Sequence, residues 1–288
     1  MKARKALILI GLCAIVMFGA CKKDDPKVKT TPYLYFTDSS DELIQKLSLD
    51  DSLTITTVKD VAEMSGIGLA YDKKNNKMYF ADFYDETTPN GKIWKMNLDG
   101  TGAEAIVTGL LNPFGIAVDA TNGKVYWGDE LGNVSRANLD GTSLQTGIVN
   151  VVDGLIRAIA LDVENNKMYF YDVEHDELNV ANLDGTNKSV LISGVYGYAL
   201  YVDTKNNKLY FDDQYGPALK MANLDGTNIV EIDNTDARIY GVEIDYTLNK
   251  LYWTARDAGE IYMSNLNGTE KVTLATGLSS PRQLFLTK

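Results

Sequence analysis

Between residues 155 and 193 the chain reads LIRAIALD, VENNK, MYFYD, a short polar stretch, ELNVANLDGT and NKSVLIS. Within these pieces the residues are apolar or alternate with polar ones, and clusters of Asn, Gly and Asp divide them. That is the pattern of short antiparallel strands joined by tight turns. Nowhere does it take on the spacing of an amphipathic helix. The same order recurs along the chain, marked by an aromatic pair in LYFTD at Leu34, MYFAD at Met78, VYWGD at Val125, MYFYD at Met168, LYFDD at Leu209 and LYWTA at Leu251. The tyrosines stand at 35, 79, 126, 169, 210 and 252, in steps of 44, 47, 43, 41 and 42 residues. A repeat of that length with four strands is a propeller blade. The pattern therefore predicts an all-β protein, a six-bladed β-propeller of four-stranded antiparallel blades over residues 33–288.

The two ends of the pattern complete each other. In five blades the first strand ends on an Asp seven positions before the Tyr, at Asp72, Asp119, Asp162, Asp203 and Asp245, with Thr287 in that place at the C-terminus. The first aromatic pair, at Tyr35, lacks such a strand, and the chain ends in SSPRQLFLTK, which is one. The C-terminal segment is expected to supply the innermost strand of the blade whose outer three strands come from residues 33–58, closing the ring by hydrogen bonds.

Charge and the N-terminus narrow the setting. The net charge of −11, from 39 acidic and 28 basic groups, argues against nucleic acid as a partner. Lys2, Arg4 and Lys5 precede the apolar run Ala6 to Met17 and the small-residue site FGAC, which reads as an export signal over residues 1–20. That site resembles the lipobox of bacterial lipoproteins, which implies lipidation of Cys21 as the mature first residue. KKDDP, at 22–26, resembles the lysine-and-acid signal that sends some lipoproteins to the cell surface. Residues 21–32 then form a charged tether, and an exported outer-membrane lipoprotein, a monomer touching the membrane only through its lipid, is expected. Cys13 leaves with the signal and Cys21 is acylated, so stability must come from packing without disulfides.

The aromatic pair with its Asp, the later LDGT and the strand PFGIAVD at Pro113 to Asp119 together resemble the YWTD repeat of the low-density-lipoprotein-receptor class B family over nearly all of the chain from about residue 31. The resemblance implies a six-bladed propeller without known catalysis that binds protein partners through one face. Ala255 departs from the motif Asp in the sixth blade.

Repetition separates scaffold from site. Asp38, Asp82, Asp129, Asp172 and Asp213 recur and are expected to accept backbone hydrogen bonds within and between blades. Asn76, Asn166, Asn207 and Asn249 sit in the hairpin after the first strand, and the DG of LDGT makes the turn between the third and fourth. A ligand site needs unrepeated residues. Counting back five from each first-strand end gives Ile67, Phe114, Arg157, Tyr198, Tyr240 and Arg282, predicted to ring the mouth of the central channel. Arg157 and Arg282 match an Arg common at this place in the resembled family. The loops after the second strands add Phe83, Tyr84 and Tyr215, with Asp85, Glu86, Glu130, Glu174 and Asp176 outside them. Aromatics within an acidic rim suit a cationic or mixed peptide, or a sugar stacked on Tyr.

Catalytic patterns are few. The single His175 lies in the exposed loop DVEHDE, which lacks the Gly and closing Glu of a calcium loop. Neither a nucleophile motif nor a phosphate loop accompanies it, and no cofactor or metal is expected. The sequence favours a non-catalytic surface propeller binding an extracellular protein, peptide or glycan. A propeller hydrolase or lactonase with a channel metal, and a scaffold subunit of an outer-membrane complex, stay open as alternatives.

Overall fold

The computed structural model describes residues 31–61, 65–83, 89–216, 218–234 and 237–288, with the backbone alone for 65–67 and 83. The export signal, Cys21 and nearly all of the tether lie outside the described residues. Within them, 24 strands form six four-stranded sheets, every pairing antiparallel. The blade at Ile156–Asp162, Lys167–Asp172, Glu177–Asn182 and Ser189–Ser193 is representative, its strands paired in chain order from the inside out. The architecture is the expected six-bladed propeller.

The aromatic pair explains why blades adhere. Neighbouring residues on a strand point to opposite faces of the sheet. Tyr169 packs with Leu209 and Phe211 of the following blade, while Phe170 packs with Tyr126 and Val134 of the preceding one. Tyr126 and Trp127, and Tyr252 and Trp253, divide in the same way between the interfaces on either side. One dipeptide per blade thus fills two interfaces, and each buried ring contributes roughly 1.5–3 kcal/mol of hydrophobic stabilisation.

The LDGT turns also join blades. Asp184 Oδ1 accepts hydrogen bonds from the Thr186 amide at 3.0 Å and its hydroxyl at 2.6 Å, and Gly185 takes φ +87°. A Cβ on Gly185 would come within 1.8 Å of the Ile148 carbonyl oxygen, in the outer strand of the preceding blade. Gly141 stands in the same way at 1.9 Å from the Ile106 carbonyl oxygen. Positive φ and close docking both call for glycine here. On the same face Asn76, Asn166, Asn207 and Asn249 adopt the left-handed conformation, with φ between 52° and 56°.

The ring closes as the sequence implies. Pro281–Thr287 pairs with Tyr33–Asp38, followed outward by Leu43–Ser48 and Ile55–Asp60. Tyr33 lies opposite Thr287, and Phe36 opposite Leu284. Phe285 stacks between Tyr35 and Tyr71, 5.0 Å from each ring, which bonds the clasp to the second blade as well.

Candidate functional site

The residues counted back from the first-strand ends share one local geometry. Pairing between first and second strands slips at Gly66/Gly68, Pro113/Ile116, Ile156/Ala158, Ile239/Val242 and Phe36/Asp38. Ile67, Phe114, Arg157, Tyr240 and Arg282 each fall in such a slip. A bulge places an extra residue on one strand and re-aims its side chain, so each blade lifts one residue out of its ladder at the same level. The fifth blade does this differently, because its first strand begins only at Leu200, past Tyr198. There the buried Asp212 carboxylate replaces the ladder, accepting the Tyr198 and Ala199 amides at 2.7 Å each and the Gln214 amide at 2.6 Å.

Five of the six predicted residues come together in the mouth: Phe114, Arg157, Tyr198, Tyr240 and Arg282. The Tyr198 and Tyr240 rings stack at 4.5 Å and 10°. The Arg157 guanidinium lies 3.7 Å over the Phe114 ring, and that of Arg282 lies 4.6 Å over Tyr240. Phe114 is only 2% exposed, so it is the floor beneath Arg157 rather than the contact surface expected of it. Between Phe114, Gly115, Arg157, Tyr198, Tyr240 and Gln283 remains a cavity of about 10 Å³, room for one water at most. Among the described side chains the channel is therefore plugged at this end.

Tyr215, 65% exposed, extends the patch: its hydroxyl donates to Asp176 Oδ2 at 2.6 Å and its ring lies 6.0 Å from Tyr196. Tyr196 in turn meets Tyr198 edge-on, their hydroxyls 2.7 Å apart. The side chains of Ile67 and Phe83, and all of Tyr84, Asp85 and Glu86, lie outside the described residues.

Charge at the mouth differs from the count of loop acids. Asp257 accepts two bonds from the Arg238 guanidinium, both at 2.8 Å, and one from Arg256 at 3.1 Å. Glu130 holds Asn112, and Asp176 holds Tyr215. Among the described residues neither Arg157 nor Arg282 has a carboxylate within salt-bridge distance, and Arg157 Nε is buried with no hydrogen-bond partner. Burial, and beyond it the guanidiniums of Arg256, Arg157 and Arg238, pushes the Arg282 guanidinium below the usual arginine range. The centre of the face is thus a cationic, aromatic-floored patch, and several of the rim acids are already engaged. Arg238 and Arg256 reach this face from the loop segments ARIY and ARDAG, at positions that the count back from the first-strand ends does not pick out.

The motif carboxylates lie behind this patch. Asp38 accepts the Ser279 and Ser280 amides at 3.0 and 2.6 Å, Asp129 those of Leu131 and Asn133 at 2.9 Å each, and Asp172 that of Leu155 at 3.0 Å. Asp82 takes the Trp94 indole N–H at 3.1 Å. Asp213 bonds the Tyr215 amide and Lys220, because Asp212 holds the inner strand of that blade. In the sixth blade Thr254 Oγ1 accepts the Gly241 amide at 3.0 Å, which explains how Ala255 is accommodated. His175 is tied to the scaffold, its Nδ1 2.7 Å from Asp172 Oδ2.

Full burial raises the Asp212 carboxyl to about 7, against the three amides that favour its charged form. The native state then keeps this proton where an unfolded chain has lost it, so Asp212 contributes most stability below the ordinary carboxylate range and progressively less as pH rises toward 7. Urea titrations of the Asp212→Asn variant are expected to give a flatter stability profile between about pH 4 and 7 than the parent. Parallel profiles would contradict this.

Comparison with known proteins places this face in context. No protein-family model matches the chain. Vitellogenin receptor of Solenopsis invicta is 27% identical over 137 residues, 47% of this chain. Low-density lipoprotein receptor-related protein 1 of Pyricularia oryzae is 33% identical over 117 residues, 37% of this chain. The matches span 7% and 38% of those relatives' lengths. Among solved structures, a chain of a nidogen/laminin complex superposes with a TM-score of 0.77 at 19% identity, over 88% of this chain and 98% of its own. In sequence, then, the chain is similar to segments of lipoprotein-receptor proteins, and in fold to a propeller solved in a nidogen/laminin complex.

Proposed function

We propose that this protein is a non-catalytic, lipid-anchored propeller at the cell surface that binds an extracellular protein, peptide or glycan through the plugged mouth of its channel. The observation that carries this is the patch in which Arg282 lies over the stacked Tyr198 and Tyr240 rings and Arg157 over Phe114, two guanidiniums with no carboxylate within salt-bridge distance among the described residues. Aromatic and Arg side chains dominate the energetics of binding surfaces, and a guanidinium on an aromatic floor is pre-organised for a planar anion. The ligand group that fits is an acidic one, the carboxylate of a peptide or of an acidic sugar. The receptor names of the relatives, and a structural neighbour solved in a nidogen/laminin complex, support a protein partner.

Two measurements test the two halves of this reading. Screened against peptide and glycan arrays, the protein is expected to retain acidic members and to release them as salt rises; retention of basic members alone would reverse the charge assignment. In cells, Cys21→Ser is expected to move the protein from the membrane fraction to the soluble one. A variant that stays in the membrane fraction would refute the lipid anchor.

A further inference from the structure

Below the plug the channel opens into a cavity of about 280 Å³, and its far end into a pocket of about 350 Å³ beside Tyr71, Lys73, Tyr246 and Lys288. One layer of the channel is distinctive. Two residues before each first-strand end stand Ala70, Ala117 and Ala160 on three successive blades, then Tyr201, Glu243 and Phe285 on the other three. A scaffold position repeats around a ring. This one divides into a side emptied by alanine and a side carrying a phenol, a carboxyl and a phenyl group.

Among the described residues Glu243 is the only acidic one lining the cavity, whose walls are mostly Leu, Ile, Val and Ala, with Tyr71, Tyr201, Phe285, Gln283 and Lys73 completing them. Its Oε1 accepts the Ile244 amide at 3.0 Å, and Tyr201 lines the same cavity. No cation lies within salt-bridge distance among the described residues. Lys73 acts on it only through space, and Lys288 is bound to Asp245 at 2.6 Å and to Thr247. A carboxyl costs free energy at such a position, where five blades manage with Ala, Tyr or Phe. Burial accordingly pushes it toward its neutral form.

The geometry points to a second binding site, entered from the face opposite the plug, for a small ligand bearing one protonated amine on a short aliphatic body. The ammonium would meet Glu243 beside the Tyr201 hydroxyl, and the aliphatic part would lie against Ala70, Ala117 and Ala160. The volume lies at the lower edge of small-molecule sites, and charge-assisted bonding to a desolvated carboxylate is stronger than a neutral hydrogen bond. Gln283 borders both cavities, but none of Glu243, Tyr201, Ala70, Ala117 and Ala160 belongs to the charged patch of the mouth, so the two readings stand or fall separately.

The test uses n-hexylammonium and 1-hexanol, alike in shape and different in charge, titrated calorimetrically into the purified protein. Saturable binding of the amine, at least about tenfold tighter than the alcohol, is expected. Glu243→Gln should abolish that preference, and Ala117→Leu should block both compounds by filling the cavity, with near-UV circular dichroism reporting native packing in each. Absence of saturable amine binding to the parent, equal affinity for amine and alcohol, or an undiminished preference in natively packed Glu243→Gln overturns the proposal. Should Glu243→Gln fail to pack natively, amine binding that survives in Ala117→Leu overturns it equally.

Discussion

Deleting residues 281–288 is expected to lower the unfolding midpoint by at least about 10 °C, or to prevent folding altogether. The segment is one short strand, yet it carries Leu284, Phe285 and Leu286, exposed by only 4%, 4% and 8%. Each such side chain contributes roughly 1.5–3 kcal/mol, and the sum is comparable with the whole stability of a typical domain, about 5–15 kcal/mol. Its removal also leaves Tyr33–Asp38 without its inner neighbour, exposing an unpaired edge to the channel, and frees Tyr35 and Tyr71 from the ring stacked between them. Thermal denaturation followed by circular dichroism reads the effect, and a synthetic peptide of residues 279–288 should restore part of the loss. An unchanged melting curve would mean that the ring is not closed by this strand.

Replacing Tyr198 and Tyr240 together by alanine is expected to weaken binding of an identified ligand by roughly thirtyfold or more, the loss typical of a central contact of 2 kcal/mol or above. The rings form the platform over which Arg282 is held, so their loss removes both contact area and the orientation of a charge. Arg157→Lys should weaken binding as well while leaving the fold intact. A lysine keeps the charge but neither stacks flat on Phe114 nor offers a planar pair of donors. Equilibrium titration at two salt concentrations separates these effects, the lysine variant retaining its salt dependence and the tyrosine variant losing affinity at both. A natively folded Tyr198→Ala/Tyr240→Ala protein that binds as tightly as the parent would remove the mouth from consideration.

Much of this molecule is readable along one dimension because a propeller repeats. The aromatic pair, the Asn turn and LDGT are local devices, each satisfied within one blade or against its neighbour, and they recur with the blade. The positions counted back from the first-strand ends share a backbone feature for the same reason, since a pairing slip recurs at that level in five blades. The departures are equally instructive. Tyr198 reaches the mouth through the carboxylate of Asp212, a substitution of side chain for ladder that no spacing reveals.

The loop acids show where reading by composition ends. Counted as letters, Glu130, Glu174 and Asp176 make the rim negative; in the structure Glu130 takes the Asn112 amide and Asp176 the Tyr215 hydroxyl, neutral partners that fix the carboxylates without cancelling their charge, while Asp257 pairs with Arg238 and Arg256 and, among the described residues, Arg157 and Arg282 have no carboxylate within salt-bridge distance. Glu243 was visible as a letter too, although nothing in its own strand says that three alanines stand across the channel from it.

From its sequence alone this protein's blade number, strand order, turn chemistry and ring closure followed, because those depend on contacts between residues near in sequence or one repeat apart. Which charges remain free, which aromatic is floor and which is surface, and where the channel is open were decided only by the tertiary structure. Those properties depend on pairings between different blades, around a ring whose members the chain visits tens of residues apart.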